Sequence, residues 1–257
     1  MEFERLLPER PGGLYYVRDR HPIFWAGWSM VEAELMLLSV ASQYGPFERY
    51  QLLSGSCYPI ASSDELFEQL CDPSRPELCI WHGYSELTAL QRKRVTKFHF
   101  HDFFGLLTQR GVPSSLVSLI RSLNRIVGYG LPFCRDVPNH LRKGSQWWCF
   151  REASVNRILM ERETPAFERL SGFFRYCSAP DELFFSSLLL EDVRHVFGSP
   201  ITVEHLNHHI EWRNKQRPSV LVEESFVDLL ASASLFCRKV SLPESRPLLD
   251  KLDAFYD

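Results

Sequence analysis

The sequence predicts an α/β fold, and the patterns in its first third are the main reason. Residues 14–17, 50–55 and 79–81 are short runs rich in apolar, aromatic or β-branched side chains, as expected for short strands. Between them, residues 30–41 have apolar side chains at helical spacing, and residues 64–70 form a second, shorter helical pattern. Strands that alternate with helices are typical of a sheet with helical crossovers.

Helix start signals support both helices of this region. Ser29 is predicted to cap the first helix, with Glu32 three residues later as its capping-box partner. Ser62 or Ser63 is predicted to cap the second helix, because a serine hydroxyl accepts a hydrogen bond from a backbone N–H of the first turn.

The rest of the chain continues as a mixture of helices and strands. Predicted helices cover 115–127, 154–161, 181–190, 225–233 and 247–256, and predicted strands cover 147–150 and 201–212. Asp181 and Glu182 would place two carboxylates at the positive end of their helix dipole. The chain is long enough to bury one large core or two small ones, and a single domain over residues 1–257 is the simpler interpretation.

The composition narrows the class of protein. A formal net charge of −3 over 257 residues gives no support for a general nucleic-acid binder. No run approaches the roughly 18 to 20 apolar residues that span a bilayer, and the first residues carry charges of both signs. We therefore expect a cytoplasmic protein without a transmembrane segment, and peripheral association with a membrane stays open.

The cysteines indicate a reducing compartment. The sequence has seven, an odd number at irregular spacing, and no pair has the Cys-x-x-Cys spacing of zinc or redox sites. Free and mostly buried thiols are the favoured interpretation, and a disulfide framework is the alternative.

Several common catalytic motifs are absent from the sequence. It has no Asp-x-Asp pair to hold a divalent ion, no Gly-x-Ser-x-Gly, no P-loop and no Gly-x-Gly-x-x-Gly. His99 and His101 would face the same side of a strand, so a metal-ligand role competes with that of ordinary polar residues on a sheet edge. His208 and His209 form a weaker pair of the same kind.

Charged residues supply the remaining candidates. Asp181 and Glu182 point about 100° apart on a helix, so spacing alone favours simple dipole-compensating charges over a catalytic pair. The best candidates for phosphate binding are the basic residues near the C-terminus, and a solvated basic face is the alternative: Arg213, Lys215, Arg217, Arg238 and Lys239. The basic run 92–97 could serve RNA, although no RNA-binding signature accompanies it.

Five segments, in this order, resemble those of a known enzyme family. They are Trp25-Ala-Gly-Trp-Ser-Met-Val-Glu-Ala, Tyr50-Gln-Leu-Leu-Ser-Gly-Ser-Cys-Tyr-Pro-Ile, Lys143-Gly-Ser-Gln-Trp-Trp-Cys-Phe, Pro180-Asp-Glu-Leu-Phe-Phe-Ser-Ser-Leu-Leu and Leu235-Phe-Cys-Arg-Lys. The chain thereby resembles the core-2/I-branching N-acetylglucosaminyltransferases and the protein xylosyltransferases, a family of inverting, metal-independent glycosyltransferases. The resemblance extends over nearly the whole chain.

The resemblance implies a fold and a reaction. The fold would be of the GT-A type, a mixed sheet flanked by helices, with a partial nucleotide-binding half at 1–85 and an acceptor-binding and catalytic half at 86–257. The chain would be shortened at its N-terminus, because the family's first strand region precedes the segment at Trp25. The reaction would move a sugar from UDP-GlcNAc, or second from UDP-xylose, to a hydroxyl of a glycan acceptor. No metal or other cofactor would be needed.

The resemblance also assigns roles to particular residues. Glu182 matches the catalytic base of the branching enzymes, and Gln146 occupies the position where the xylosyltransferases have a candidate Asp base. Donor binding is expected of five residues: Trp25, Ser145, Arg217, Arg238 and Lys239. Acceptor binding is expected of Trp212 and Asp181. Cys57 stands where the family usually has Asp, which keeps open a non-catalytic carbohydrate-binding or scaffold protein descended from such an enzyme.

Overall fold

The computed structural model describes residues 13–106, 112–131, 135–189, 207–212 and 217–256. Its α-helices are α1 (Trp28–Ala41), α2 (Ser63–Cys71), α3 (Ala89–Thr96), α4 (His101–Leu106), α5 (Ser114–Gly130), α6 (Glu152–Glu161), α7 (Pro165–Phe174), α8 (Phe184–Leu188), α9 (Phe226–Leu230) and α10 (Arg246–Tyr256). Its strands are β1 (Arg49–Gln51), β2 (Cys57–Pro59), β3 (Ile80–Gly83), β4 (Arg142–Gly144), β5 (Cys149–Arg151), β6 (His208–Ile210) and β7 (Phe236–Arg238). Short 3₁₀ helices cover Ser42–Tyr44, Tyr84–Glu86, Pro180–Glu182 and Glu223–Ser225.

The long helices agree with the sequence pattern, whereas one of the predicted caps is wrong. Ser62 caps α2 by accepting a hydrogen bond from the N–H of Glu65, as predicted. Ser29 does not cap α1, which begins one residue earlier at Trp28. Instead, Ser29 Oγ donates to Asp102 Oδ1 at 2.6 Å, so a carboxylate distant in sequence holds the first turn.

The strands form three small sheets in the described residues, and the third of these combines parallel and antiparallel pairs. β1 pairs with β5 and β3 with β4, both antiparallel. In the third sheet β7 lies between β2, which is antiparallel to it, and β6, which is parallel to it. Each sheet joins a strand that precedes residue 86 to a strand that follows it. The predicted halves 1–85 and 86–257 are therefore connected by backbone pairing.

Two predicted strands differ from the structure. Residues 14–17 are irregular and form no strand. The side chains of Leu14 and Tyr15 are exposed. The predicted strand 201–212 is reduced to β6 within the described chain, and its first six residues lie outside the description. The predicted helix 181–190 begins as a 3₁₀ turn and continues as α8.

Aromatic side chains dominate the main core and fix the segment that follows the 3₁₀ turn. Phe184 packs edge-on against Trp28 of α1 at 5.1 Å between ring centroids. Phe185 lies 5.9 Å from the Trp148 ring, which stacks on Phe150 at 4.4 Å. Both phenylalanines are buried, so the turn Pro180–Glu182 is anchored on its C-terminal side by the core.

Three further expectations concern cysteines, membranes and metals. The six described cysteines are free thiols, four of them buried, and Cys134 lies outside the description. Among the described helices, none has both the length and the apolar character needed to cross a bilayer. No group of three or more His, Cys, Asp or Glu side chains able to hold a metal ion occurs in the described chain.

Candidate functional site

Glu182 lies at the end of the 3₁₀ turn Pro180–Glu182. Ala179 precedes the turn with φ of 55°, a left-handed conformation that is uncommon for a residue other than glycine. The N–H of Glu182 donates to the carbonyl of Ala179 at 3.3 Å, which closes the turn. With 30% of its side chain exposed, Glu182 reaches a small crevice that is also lined by Leu87, Gln91 and Ser178.

Two cations contact the same oxygen of this carboxylate. Lys143 Nζ lies 3.0 Å from Glu182 Oε2, and Arg94 Nη1 lies 3.5 Å from it. Lys143 comes from β4 and Arg94 from α3, so three elements distant in sequence meet at one carboxylate. Sequence reasoning missed both partners. The available signal was a lysine directly before the Gly-Ser-Gln-Trp segment.

Asp181 has the opposite environment from its neighbour. Only 5% of its surface is exposed, and its Oδ1 is buried without a hydrogen-bond partner. Burial, and then the charge of Glu182, raises the pKa of Asp181 to about 7. Contact with an acceptor through Asp181 was expected, but the side chain faces the interior, so the structure does not support that role.

A second buried carboxyl lies close to Asp181. Glu34 on α1 accepts a hydrogen bond from the indole N–H of Trp148 at 3.0 Å. Burial and the nearby Asp181 raise the pKa of Glu34 well above its usual range. Burial therefore favours the neutral, protonated form of the Asp181 and Glu34 carboxyl groups. Glu182, in contrast, is contacted by two cations in the crevice.

Arg238 is the centre of a second cluster. The cluster joins the segments that begin at Tyr50, Lys143 and Leu235, three of the five that carry the family resemblance. Its guanidinium donates to Ser54 Oγ and lies 4.6 Å from the centroid of the Trp147 ring. Ser54 Oγ is in turn 3.3 Å from the thiol of Cys57. Cys57, at the position where the family usually has Asp, thus contacts the Ser54 hydroxyl group that accepts the hydrogen bond from Arg238.

The other predicted donor and acceptor residues are distributed differently. Ser145 is buried, and its Oγ accepts a hydrogen bond from the N–H of Trp147 at 3.2 Å, so it shapes the turn between β4 and β5 and is not open to a donor. Trp25 is 85% exposed, and Trp212 is partly exposed. Arg217 is exposed, and Lys239 follows Arg238 directly. Arg213 and Lys215 lie outside the described residues.

The first histidine pair is engaged in packing and in hydrogen bonds to the protein, and His208 of the second pair packs against aromatic rings. His99 and His101 stack at 5.4 Å between ring centroids, and they line a cleft of about 400 Å³. His101 Nε2 is 3.1 Å from Ser178 Oγ, and burial lowers the pKa of His101 to about 4. His208 packs between the rings of Trp147 and Phe236. These contacts do not support the metal-ligand alternative.

Comparison with known families assigns the class of protein. The family model of the core-2/I-branching enzymes matches residues 13–229 of the chain, a range that contains both the Glu182 crevice and the Ser54–Trp147 side of the Arg238 cluster. The chain is thus of the glycosyltransferase class. It belongs to the core-2/I-branching enzyme family. A search of curated proteins finds no match.

Proposed function

We propose that this protein is an inverting transferase that moves GlcNAc from UDP-GlcNAc to a hydroxyl of a glycan acceptor, with UDP-xylose as the second choice of donor. The observation that carries the proposal is the carboxylate of Glu182, partly exposed in a crevice and contacted by two cations. A general base must be accessible to the acceptor and ionised before the reaction begins.

The proposed reaction is a single displacement. The acceptor hydroxyl gives its proton to Glu182 while its oxygen forms a bond to the anomeric carbon on the face opposite the leaving group. The bond from the anomeric carbon to the diphosphate oxygen breaks at the same time, and UDP leaves with the electron pair. Inversion follows because there is one displacement and no covalent intermediate.

We assign the leaving diphosphate to Arg238 and Lys239, with Arg217 as a further cation. Negative charge grows on the β-phosphate as the bond breaks, and cations fixed in advance stabilise it without reorganisation. Arg238 is preorganised by Ser54 and the Trp147 ring, as expected of such a group. Trp25 and Trp212 are proposed to stack on the nucleotide and on an acceptor sugar, respectively, because their rings are partly or largely exposed.

Replacement of the proposed base tests the function. Glu182→Gln should lower transfer from UDP-GlcNAc to a panel of glycan acceptors by about 10²- to 10⁴-fold, the usual contribution of a general base. Released UDP and mass-spectrometric detection of the product provide the measurement. A thermal melt must match the wild type.

Glu161→Gln is the matched control. The side chain of Glu161 has the same exposed fraction as that of Glu182, 30%, and its Oε1 lies 2.6 Å from Arg157 Nε. Both residues of this pair lie on α6, away from the Glu182 turn, so the variant should keep full activity. Full activity of Glu182→Gln would contradict the proposed base. If the wild type transfers no sugar and calorimetry detects no UDP binding to the folded protein, the non-catalytic carbohydrate-binding alternative replaces the proposal.

A further inference from the structure

Lys143 is an unusually well-fixed cation. Its strand β4 pairs with β3 on one side, and on the other the N–H of Arg142 donates to Ser187 Oγ at 3.0 Å. Gly144, the next residue, is so close to the backbone just before β3 that a Cβ atom there would lie 2.2 Å from the carbonyl oxygen of Cys79. The backbone that carries Lys143 therefore has little freedom to shift.

The side chain of Lys143 is also largely removed from water, since only 10% of it is exposed. A buried ammonium group is costly unless a counter-charge compensates it. Glu182 Oε2, at 3.0 Å, supplies that charge. Because the charge of Lys143 is balanced in this way, it is a poor candidate for binding the donor diphosphate, and a role towards Glu182 fits better.

The two cations approach one oxygen rather than both. Lys143 Nζ and Arg94 Nη1 contact Oε2, and in the described part of the chain no ion pair is made to Oε1. Two contacts from different elements restrict the rotation of the carboxylate about its last bond. This arrangement orients Oε1 and leaves its lone pairs available.

We propose that Lys143, with Arg94 as its outer partner, is a positioning residue that holds Oε2 of Glu182 and so presents Oε1 to the acceptor hydroxyl. The inference rests on the proposed function, because it assumes that Glu182 is the base. During transfer the proton moves from the acceptor oxygen to Oε1, and Oε2 keeps its contact with the ammonium group. The proton then leaves to solvent through the crevice.

A double-mutant cycle between Lys143 and Glu182 tests this role. Lys143→Met keeps most of the side-chain volume and should lower kcat for transfer by roughly 10- to 100-fold, because a poorly oriented base is less effective. UDP affinity and the KM for the acceptor should change by less than about 3-fold. Lys143→Arg should recover part of kcat. In the Glu182→Gln background, Lys143→Met should have no further effect, since a residue that acts through the base loses its role with it.

The outcomes separate this inference from the proposed function. Full activity of Glu182→Gln would overturn both, whereas an inactive Glu182→Gln with a fully active Lys143→Met would overturn the positioning role alone. Additive losses in the double mutant, or a loss of UDP binding in Lys143→Met, would also overturn it. Arg157→Met, which breaks the matched pair with Glu161, should leave kcat unchanged.

If Lys143→Met does not fold, Arg94→Met provides the same cycle from a side chain that is 43% exposed. It should give a smaller loss of kcat that also disappears in the Glu182→Gln background. An Arg94→Met loss that persists there would overturn the positioning role.

Discussion

At the scale of single residues, the structure separates chemical roles that the sequence could not. Asp181 and Glu182 are adjacent carboxylates, yet the first is buried beside Glu34 and the second faces a crevice beside Lys143. The sequence indicated that the two side chains diverge. It could not show which of them meets water, because that depends on α1, α3 and β4, which are distant in the chain.

The phosphate-binding assignment is also a residue-scale prediction. Arg238→Ala and Lys239→Ala should each weaken UDP binding by about 10-fold or more, because one charge-assisted hydrogen bond contributes roughly 1.5 to 3 kcal/mol. Calorimetric titration in metal-free buffer with a chelator measures the effect. Lys251→Ala, whose ammonium pairs with the exposed Glu223, is the control and should bind UDP normally. Unchanged UDP affinity in both Arg238→Ala and Lys239→Ala would contradict the assignment.

At the scale of elements, close backbone approaches determine where the candidate groups lie. β4 is only three residues long, but it carries Lys143 and touches both β3 and α8. Its position depends on Gly144, because any larger residue would collide with the Cys79 carbonyl oxygen and with Ser186 Oγ. A short strand without strong β propensity is therefore held mainly by its fit to neighbouring elements.

Gly144→Ala should accordingly lower the free energy of unfolding by about 1 to 3 kcal/mol, the usual cost of overpacking a dense region. Transfer activity should fall with it, since β4 must move and Lys143 moves with the strand. Urea denaturation followed by fluorescence gives the stability.

Gly172→Ala on α7 is the matched control, because a Cβ atom there meets nothing within 4 Å. Replacement of this helical glycine by alanine should raise the free energy of unfolding of the protein by up to about 1 kcal/mol. Equal stabilities of the two variants would show that the close approach at Gly144 has no energetic consequence.

At the scale of the whole molecule, the buried carboxyls should make stability depend on pH. Their pKa values are raised in the folded protein, for Asp181 to about 7, while the unfolded chain has ordinary values. Between about pH 4 and 7 the folded state thus holds protons that the unfolded state releases. Stability from these groups is greatest at the acidic end and decreases as the pH rises through this window.

Asp181→Asn should remove part of that decrease, because the amide resembles a protonated carboxyl and cannot ionise. The expected difference in slope corresponds to at most one proton, about 1.4 kcal/mol per pH unit. Urea unfolding of the variant and the wild type at several pH values from 4.5 to 8 measures it. Asp250→Asn, at an exposed position, should keep the wild-type slope. The same slope in Asp181→Asn would contradict the buried-carboxyl origin of the effect.

Much of the local structure was predictable because it depends on local patterns. The amphipathic spacing gave α5 and α10 to within a few residues, and the hydroxyl of Ser62 caps α2 as expected. The run at 14–17 was assigned to a strand from its composition, but a strand also needs a partner, and pairing is not a local property. The predicted site was partial for the same reason, since Ser145 and Asp181 carry suitable groups that packing turns inward.

The sequence alone determined the family and the order of its segments, because these depend on residue identity and spacing along the chain. The resemblance to that family, and not the spacing of the carboxylates, led to Glu182 as candidate base. The tertiary structure alone determined that Lys143 and Arg94 meet Glu182 at one oxygen, that Asp181 is buried, and that Arg238 joins Ser54 and Trp147. The physical reason is that burial and charge pairing act between elements distant in sequence. The identity of the cations that contact a carboxylate is therefore determined by the packing of the folded chain.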